Sequence, residues 1–197
     1  MSALVDRAIH DAGLSGWLEA RCARAIGQLE IERLCGADLL ALGALADRVR
    51  SIEVGDGVRI YTDVSVGIDA GVVVLPHEGN DLTGLDLLRQ IAIARIAGAD
   101  RARVRVDWTR SGLELAQVAL GFGANELFGR ITSKRGLPIA EGQLAGVGKK
   151  TARLPAQRIK RRELAELVRR AGRVPAFVEA DGSAELIDAI SSMQETP

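Results

Sequence analysis

The feature that most constrains the fold is an alternation of strand-like and helix-like segments between Val72 and Val178. Strand-like runs such as VVVLP (72–76) and RVRVDW (103–108) are separated by segments whose apolar residues recur at helical spacing. This alternation predicts parallel strands with helices packed outside them. Four or five strands cannot close an eight-stranded barrel. We therefore expect an α/β fold, either a partial (β/α) barrel or an open, mostly parallel sheet with outer helices.

The regions flanking this alternation have a helical pattern. Residues 1–52 are predicted to form an N-terminal helical segment, and in the helix that follows Ser15 the thiol of Cys22 falls on the apolar side, as a core residue. Residues 53–181 are predicted to form the α/β domain, with a basic loop at 130–160. Residues 182–197 are predicted to form a C-terminal helix, at 183–193, and a tail.

Charge is balanced over the whole chain but not along it. Lys plus Arg and Asp plus Glu number 26 each, yet the stretch from Arg130 to Arg173 holds thirteen basic and three acidic residues. A local surplus of positive charge attracts anions and leaves the fold unspecified. Aromatic residues make up only 3% of the chain, so stacking platforms for single-stranded nucleic acid are scarce.

The few cysteines and the lack of a signal peptide or membrane span indicate the cellular compartment. The chain has two cysteines, Cys22 and Cys35, which is too few for a disulfide framework and favours a reducing compartment. Its first residues do not form a signal peptide, and no run approaches the roughly 18 apolar residues of a membrane span. We expect a cytoplasmic protein that does not enter a membrane.

Polar residues follow three of the predicted strands, on the edge where α/β proteins keep their sites. These candidate ligand-binding residues are Asp107, Trp108, Asn125, Glu126, His77, Glu78 and Asn80. The plainer interpretation of the first two is a helix-capping acid and a packed aromatic residue. A metal site is disfavoured because His77 has only His10 as a possible partner histidine. We find no catalytic constellation, which favours a protein that is not an enzyme.

A second candidate site lies in the basic stretch, where LAGVGKKTARLP (144–155) is similar to the hairpin of helix-hairpin-helix DNA-binding modules. In such hairpins, glycines let backbone amides approach a phosphate and lysines neutralise it. The candidate anion-binding residues are Gly146, Gly148, Lys149, Lys150, Arg161 and Arg162. A flexible basic loop, an anion site and a duplex DNA site all remain open.

Five segments, taken in order, resemble one family. They are DLLALGALADRVR (38–50), VRIYTDVSVG (58–67), LPHEGNDLTGLDLLRQIAIARI (75–96), GLELAQVALGFGANELFG (112–129) and ELVRRAGRVP (166–175). They are similar to parts of the menaquinone-pathway radical S-adenosylmethionine enzymes, aminofutalosine synthase and cyclic dehypoxanthinyl futalosine synthase. Where that family has half of its barrel and the CxxxCxxC cluster motif, this chain has a short turn between Gly67 and Val72.

The resemblance implies a degenerate relative without the iron–sulfur cluster, because such a cluster needs closely spaced thiolates and no cysteine follows Cys35. We expect no cofactor. The protein would bind a small molecule at the carboxyl ends of its strands, or assist a full-length enzyme of the pathway. The alternative is a nucleic-acid or polyanion-binding module that uses residues 130–173. An incomplete barrel also predicts a homodimer, with the segments 60–67 and 103–108 at the sheet border.

Overall fold

Four helices precede the first strand in the computed structural model, which describes residues 3–23, 28–62, 72–74, 83–131, 159–178 and 184–186. They are α1 (Ala3–Asp11), α2 (Ser15–Cys22), α3 (Gln28–Gly36) and α4 (Leu39–Val54). The predicted N-terminal helical segment is therefore present among these residues. Its second helix ends at Cys22, and the Cys22 side chain is exposed, so its assignment to the core was wrong.

Helix α4 is the part of this segment that joins the core. The side chain of Asp38 caps it by accepting a hydrogen bond from the Ala41 backbone N–H at 2.9 Å. Its apolar residues at helical spacing are buried: Leu42, Leu45 and Val49 are each at most 1% exposed. Burial of a side chain of this size contributes about 1.5–3 kcal/mol. These side chains belong to one apolar cluster with residues of the neighbouring helices and of the sheet.

The described strands form one six-stranded sheet in the order β2-β3-β4-β1-β5-β6. Their bounds are β1 (Gly57–Tyr61), β2 (Val72–Val74), β3 (Arg103–Asp107), β4 (Glu126–Phe128), β5 (Val174–Val178) and β6 (Ala184–Leu186). The first five are mutually parallel, and β6 runs antiparallel to β5. The predicted α/β class with a mostly parallel sheet is confirmed.

The connecting helices are α5 (Gly84–Ala97), α6 (Trp108–Ser111), α7 (Leu113–Leu120) and α8 (Arg161–Arg170). A capping box starts α5: Thr83 Oγ1 accepts from the Asp86 backbone N–H, and the Asp86 carboxylate accepts from the Thr83 backbone N–H. The hydrogen bonds to Thr83 lower the pKa of the Asp86 carboxyl below its usual 3.8. Within the described part, no helix is both long and apolar enough to cross a bilayer.

The two faces of the sheet differ in character because strand side chains alternate. One face joins the helices in a single apolar core, through Val58, Ile60, Val104, Val106, Leu127 and Phe177. The register pairs Arg59 with Glu126, and Glu126 with Arg105, so these charged residues share the opposite face. We call this second face, defined by Arg59, Tyr61, Arg103, Arg105 and Glu126, the polar face.

Two sequence-based expectations about the sheet were wrong. Segments 60–67 and 103–108 were expected at the border, yet β1 lies between β4 and β5, and β3 lies between β2 and β4. Which strands pair depends on how the crossover segments pack, and local pattern does not encode this. The helix expected at 183–193 is also contradicted at residues 184–186, which pair with β5 as β6. The rest of that expected helix lies outside the described residues. Pairing with an edge strand overrides the weak preference of a short helix.

Candidate functional site

The carboxyl ends of three neighbouring strands meet at one edge of the sheet. The register aligns Tyr61 with Phe128, and Phe128 with Asp107. Trp108 follows Asp107 directly and begins α6. The predicted pair Asp107–Trp108 is therefore at the carboxyl edge, where α/β proteins bind ligands. We use "carboxyl edge" below for the ends of β1, β3 and β4.

At this edge Asp107 has a local structural role. Its Oδ1 accepts hydrogen bonds from the Thr109 backbone N–H at 2.8 Å and from Thr109 Oγ1 at 2.6 Å. These two bonds cap the short helix α6. Asp107 Oδ1 thus has the helix-capping role that the sequence suggested.

Trp108 is packed, and its indole N–H is unsatisfied. The side chain is 1% exposed, and no hydrogen-bond acceptor is placed for Nε1. The indole fits over Gly129, where a Cβ would lie 2.4 Å from Trp108 Cε2, so only glycine is tolerated there. Buried Trp N–H groups usually find a partner, and leaving one unpaired costs about 1–3 kcal/mol.

Glu126 lies on the polar face and is completely buried. Its Oε1 accepts from Arg103 Nε at 2.5 Å and from Tyr61 Oη at 3.3 Å, and its Oε2 accepts from Arg105 Nε at 2.9 Å. Arg103 Nη2 also donates to Tyr61 Oη at 2.6 Å. The Arg105 guanidinium lies 4.0 Å from the centre of the Tyr61 ring, in the geometry of a cation–π contact. We call Tyr61, Arg103, Arg105 and Glu126 the Glu126 network.

Sequence reasoning identified Glu126 but missed its partners. In RVRVD (103–107) every second residue is Arg or Asp, and period-two alternation places the two arginines on one face of a strand. That signal could have identified Arg103 and Arg105. Tyr61 carried no such signal, because its proximity to Glu126 depends on β1 lying next to β4.

Asn125 lies at the opposite edge of the sheet from Asp107, because it precedes β4. It is buried, and its Oδ1 accepts from the Val104 backbone N–H at 2.8 Å and from Arg95 Nη2 at 2.7 Å. Arg95 itself is fully buried. Burial lowers the pKa of its guanidinium to about 10, with Glu53 acting against the shift. The expected place of Asn125 at the carboxyl edge was therefore wrong, and its ligand-binding role stays a prediction.

Further ion pairs close this amino edge. Arg21 donates to Glu53 Oε1 at 2.7 Å and to the Ala99 carbonyl at 2.8 Å, which ties α2 to the segment that enters β3. Arg173 Nη2 donates to Asp47 Oδ1 at 2.5 Å, just before β5. Each of these groups is at least partly buried. The amino edge is therefore occupied by structural contacts, although Arg95 Nη1 and Arg173 Nε have no hydrogen-bond partner there. At the carboxyl edge the unpaired donor is the Trp108 indole N–H, which is the only hydrogen-bonding group of its side chain.

Most of the other predicted site residues lie outside the described residues: His77, Glu78, Asn80, Gly146, Gly148, Lys149 and Lys150. The predicted turn at 67–72 also lies outside, apart from Val72. Of the two described anion-site candidates, Arg161 stacks on the Phe177 ring, with its guanidinium 4.3 Å from the ring centre. Arg162 is exposed and lines an open groove between α7 and α8 with Lys160 and Arg170.

Clusters of metal-ligating side chains are absent among the described residues. Within them, no three His, Cys, Asp or Glu side chains come together as a possible metal site. Both cysteines are described, and both are exposed and free. The candidate site is thus the carboxyl edge with the Glu126 network beneath it.

The parallel strands, the helices on one face and the polar opposite face define an α/β protein of the (β/α) type. The chain is 28% identical over 198 residues to cyclic dehypoxanthine futalosine synthase of Streptomyces coelicolor. The match covers 86% of this chain and 46% of that enzyme, so the chain spans about half the length of the curated relative it matches. This confirms the resemblance seen in the sequence, as a distant one. No family model matches the chain.

Proposed function

We propose that the protein binds a small molecule at the carboxyl edge of its sheet, as a relative of the futalosine-pathway radical enzymes that lacks their cluster chemistry. The observation that carries this proposal is the Glu126 network. A parallel sheet is ordinarily covered by apolar side chains on both faces, whereas here a buried carboxylate, two guanidinium groups and a phenol share one face.

Stability alone is a poor explanation for such a network. Taking charges out of water offsets most of their mutual attraction, so that a buried ion pair is often no more stable than apolar residues of the same volume. Interlinked ionisable groups near a strand-end edge are instead typical of ligand sites. In this proposal the network holds Tyr61 and Arg105 in one fixed position beneath the ligand. The relation to cyclic dehypoxanthine futalosine synthase supports a futalosine-type molecule.

The test is ligand-dependent stability. Futalosine-type metabolites should raise the melting temperature of the parent, because a ligand that binds only the folded state stabilises it. Arg105→Lys keeps the positive charge but loses the planar fork and its stacking on Tyr61, so its affinity should fall at least roughly tenfold. Arg162→Lys is the matched control, since it makes the same change at an exposed position on α8. Equal binding by both variants, or no response of the parent, would refute the proposal.

A role as partner of a full-length enzyme is favoured by Arg59. This residue lies on the polar face of a central strand and is exposed, where parallel sheets are normally covered. Mixing the protein with purified cyclic dehypoxanthine futalosine synthase and measuring co-elution would test this role. Separate elution at micromolar concentrations of both proteins would exclude it.

The alternative function is polyanion binding by the basic stretch, for which the exposed Arg162 beside Lys160 and Arg170 is the described support. Binding to a DNA duplex should then weaken steeply with salt, because each neutralised phosphate releases counterions. The double change Lys149→Glu with Lys150→Glu should remove most of it. DNA affinity that persists at physiological salt, without any metabolite response, would favour this function over the first.

A further inference from the structure

The indole N–H of Trp108 is the feature that the proposed function leaves unused. Among the described residues no acceptor lies within hydrogen-bond distance of it, although the side chain is 1% exposed. Unpaired buried donors are few in folded proteins, and each requires an explanation. The hydroxyl groups on the same short helix have acceptors: Thr109 Oγ1 donates to Asp107 Oδ1 at 2.6 Å, and Ser111 Oγ donates to the Asp107 carbonyl at 2.9 Å. The two hydroxyl groups of α6 are therefore satisfied, and the Trp108 indole N–H is not.

The position of the indole points to the carboxyl edge. The atom closest to the position a Gly129 Cβ would take is Cε2, at 2.4 Å, and Nε1 is bonded to Cε2. Gly129 directly follows β4, and its backbone N–H donates to the Tyr61 carbonyl at 3.1 Å. The backbone N–H of Gly129 therefore already has an acceptor. Because the indole packs on Gly129, its N–H lies beside the ends of β1 and β4. Phe128, half-buried in register with Tyr61 and Asp107, provides apolar surface at the same edge.

We infer that Trp108 Nε1 is a specificity-determining donor, which hydrogen-bonds a carbonyl or carboxylate oxygen of a small molecule bound at the carboxyl edge. This inference rests on the proposed function and names the chemistry that its ligand must carry. A buried N–H that makes no hydrogen bond within the protein gains one when such an oxygen arrives. A ligand that lacks the acceptor leaves the donor unpaired and is disfavoured.

The chain has two tryptophans, Trp17 and Trp108, so Trp17→Phe leaves one indole. In nitrogen-15-labelled Trp17→Phe protein the single indole N–H resonance reports on Trp108 directly. Millimolar benzamide and benzoate serve as the neutral carbonyl and the carboxylate probe, and benzylamine has the same ring without an acceptor. We expect a downfield shift of the indole proton with one or both acceptor probes and none with benzylamine. The response to benzamide against that to benzoate distinguishes the carbonyl from the carboxylate.

A second variant removes the donor without emptying the space. In the Trp17→Phe background, replacing Trp108 with benzothienylalanine keeps the ring size and substitutes sulfur for N–H. Its affinity for the acceptor probe should fall roughly tenfold, as the loss of one hydrogen bond predicts, with benzylamine unaffected. If a probe or a futalosine-type metabolite raises the melting temperature but leaves the indole resonance unmoved, the role of Trp108 is overturned and the proposed function stands. If neither the probes nor a futalosine-type metabolite raises the melting temperature, the role of Trp108 and the proposed function are both refuted.

Discussion

Replacing Asn125 with alanine is the sharpest test of how the amino edge is built. Asn125 Oδ1 is the acceptor for two buried donors, the Val104 backbone N–H at 2.8 Å and Arg95 Nη2 at 2.7 Å. Alanine leaves both without this acceptor. Arg95 keeps the hydrogen bond from Nε to the Gly123 carbonyl at 2.9 Å. Its Nη2 loses the Asn125 acceptor while the charged guanidinium stays buried.

The magnitude follows from the two donors. An unsatisfied buried amide costs about 1–3 kcal/mol, and a charged donor costs more. We therefore expect Asn125→Ala to lower the free energy of unfolding by roughly 3–5 kcal/mol, a large part of the roughly 5–15 kcal/mol available to a typical domain. For a chain of this size the melting temperature should fall by roughly 6–20 °C. Urea unfolding followed by circular dichroism measures the first quantity, and a thermal scan measures the second.

Asn125→Asp is the matched control. It keeps an oxygen acceptor for Val104 and places a negative charge beside Arg95, so its loss of stability at pH 7 should be less than half that of the alanine variant. A loss below about 1 kcal/mol in Asn125→Ala would refute the reasoning, because the two donors would then have other partners. Unchanged stability together with lost ligand binding would restore Asn125 to the ligand site where the sequence placed it.

Four further outcomes are expected. Gly129→Ala should destabilise the protein by roughly 2 kcal/mol or more in urea unfolding, because its Cβ would lie 2.4 Å from the Trp108 ring. Asp86→Asn should be less stable than the parent above pH 3.8, and the difference should vanish as pH falls below the lowered pKa of Asp86, since the native carboxylate is the form that Thr83 stabilises. Anaerobic reconstitution should yield no stoichiometric iron, and Cys22→Ala with Cys35→Ala should change nothing. Light scattering at micromolar concentration should show a dimer, because β2 and β6 are the border strands of the described sheet.

Each of these outcomes has a control or a contrary result. Gly16→Ala, where a Cβ meets nothing within 4 Å, should be nearly neutral, and equal losses in the two glycine variants would contradict the packing argument. A stability difference for Asp86→Asn that persists once the pH is below the lowered pKa of Asp86 would contradict the capping argument. Iron that survives removal of both cysteines would indicate ligands of another kind. A monomer in light scattering would mean that the sheet border is protected within one chain.

The element types and the apolar faces could be predicted from the sequence because they depend on local periodicity. Leu42, Leu45 and Val49 recur at helical spacing and lie on the buried side of α4. Thr83 followed three residues later by Asp86 is a helix-start pattern, and α5 begins there. Alternation predicted a mostly parallel sheet before any pairing was known. The distant relation to the futalosine synthase was visible in the amino-acid sequences of the five segments that resemble that family. Such features need only neighbours within a few residues along the chain.

The site depended on tertiary structure, because its members are distant in sequence. Tyr61 meets Glu126 only since β1 lies next to β4, an adjacency set by how the crossovers pack. Asn125 and Glu126 are consecutive, yet one belongs to the amino edge and the other to the polar face, since neighbouring strand residues point in opposite directions. From the sequence alone, both were assigned to the same ligand-binding site. The three-residue length of β4 and its register decided that Asn125 holds Arg95 in place while Glu126 holds Arg103 and Arg105.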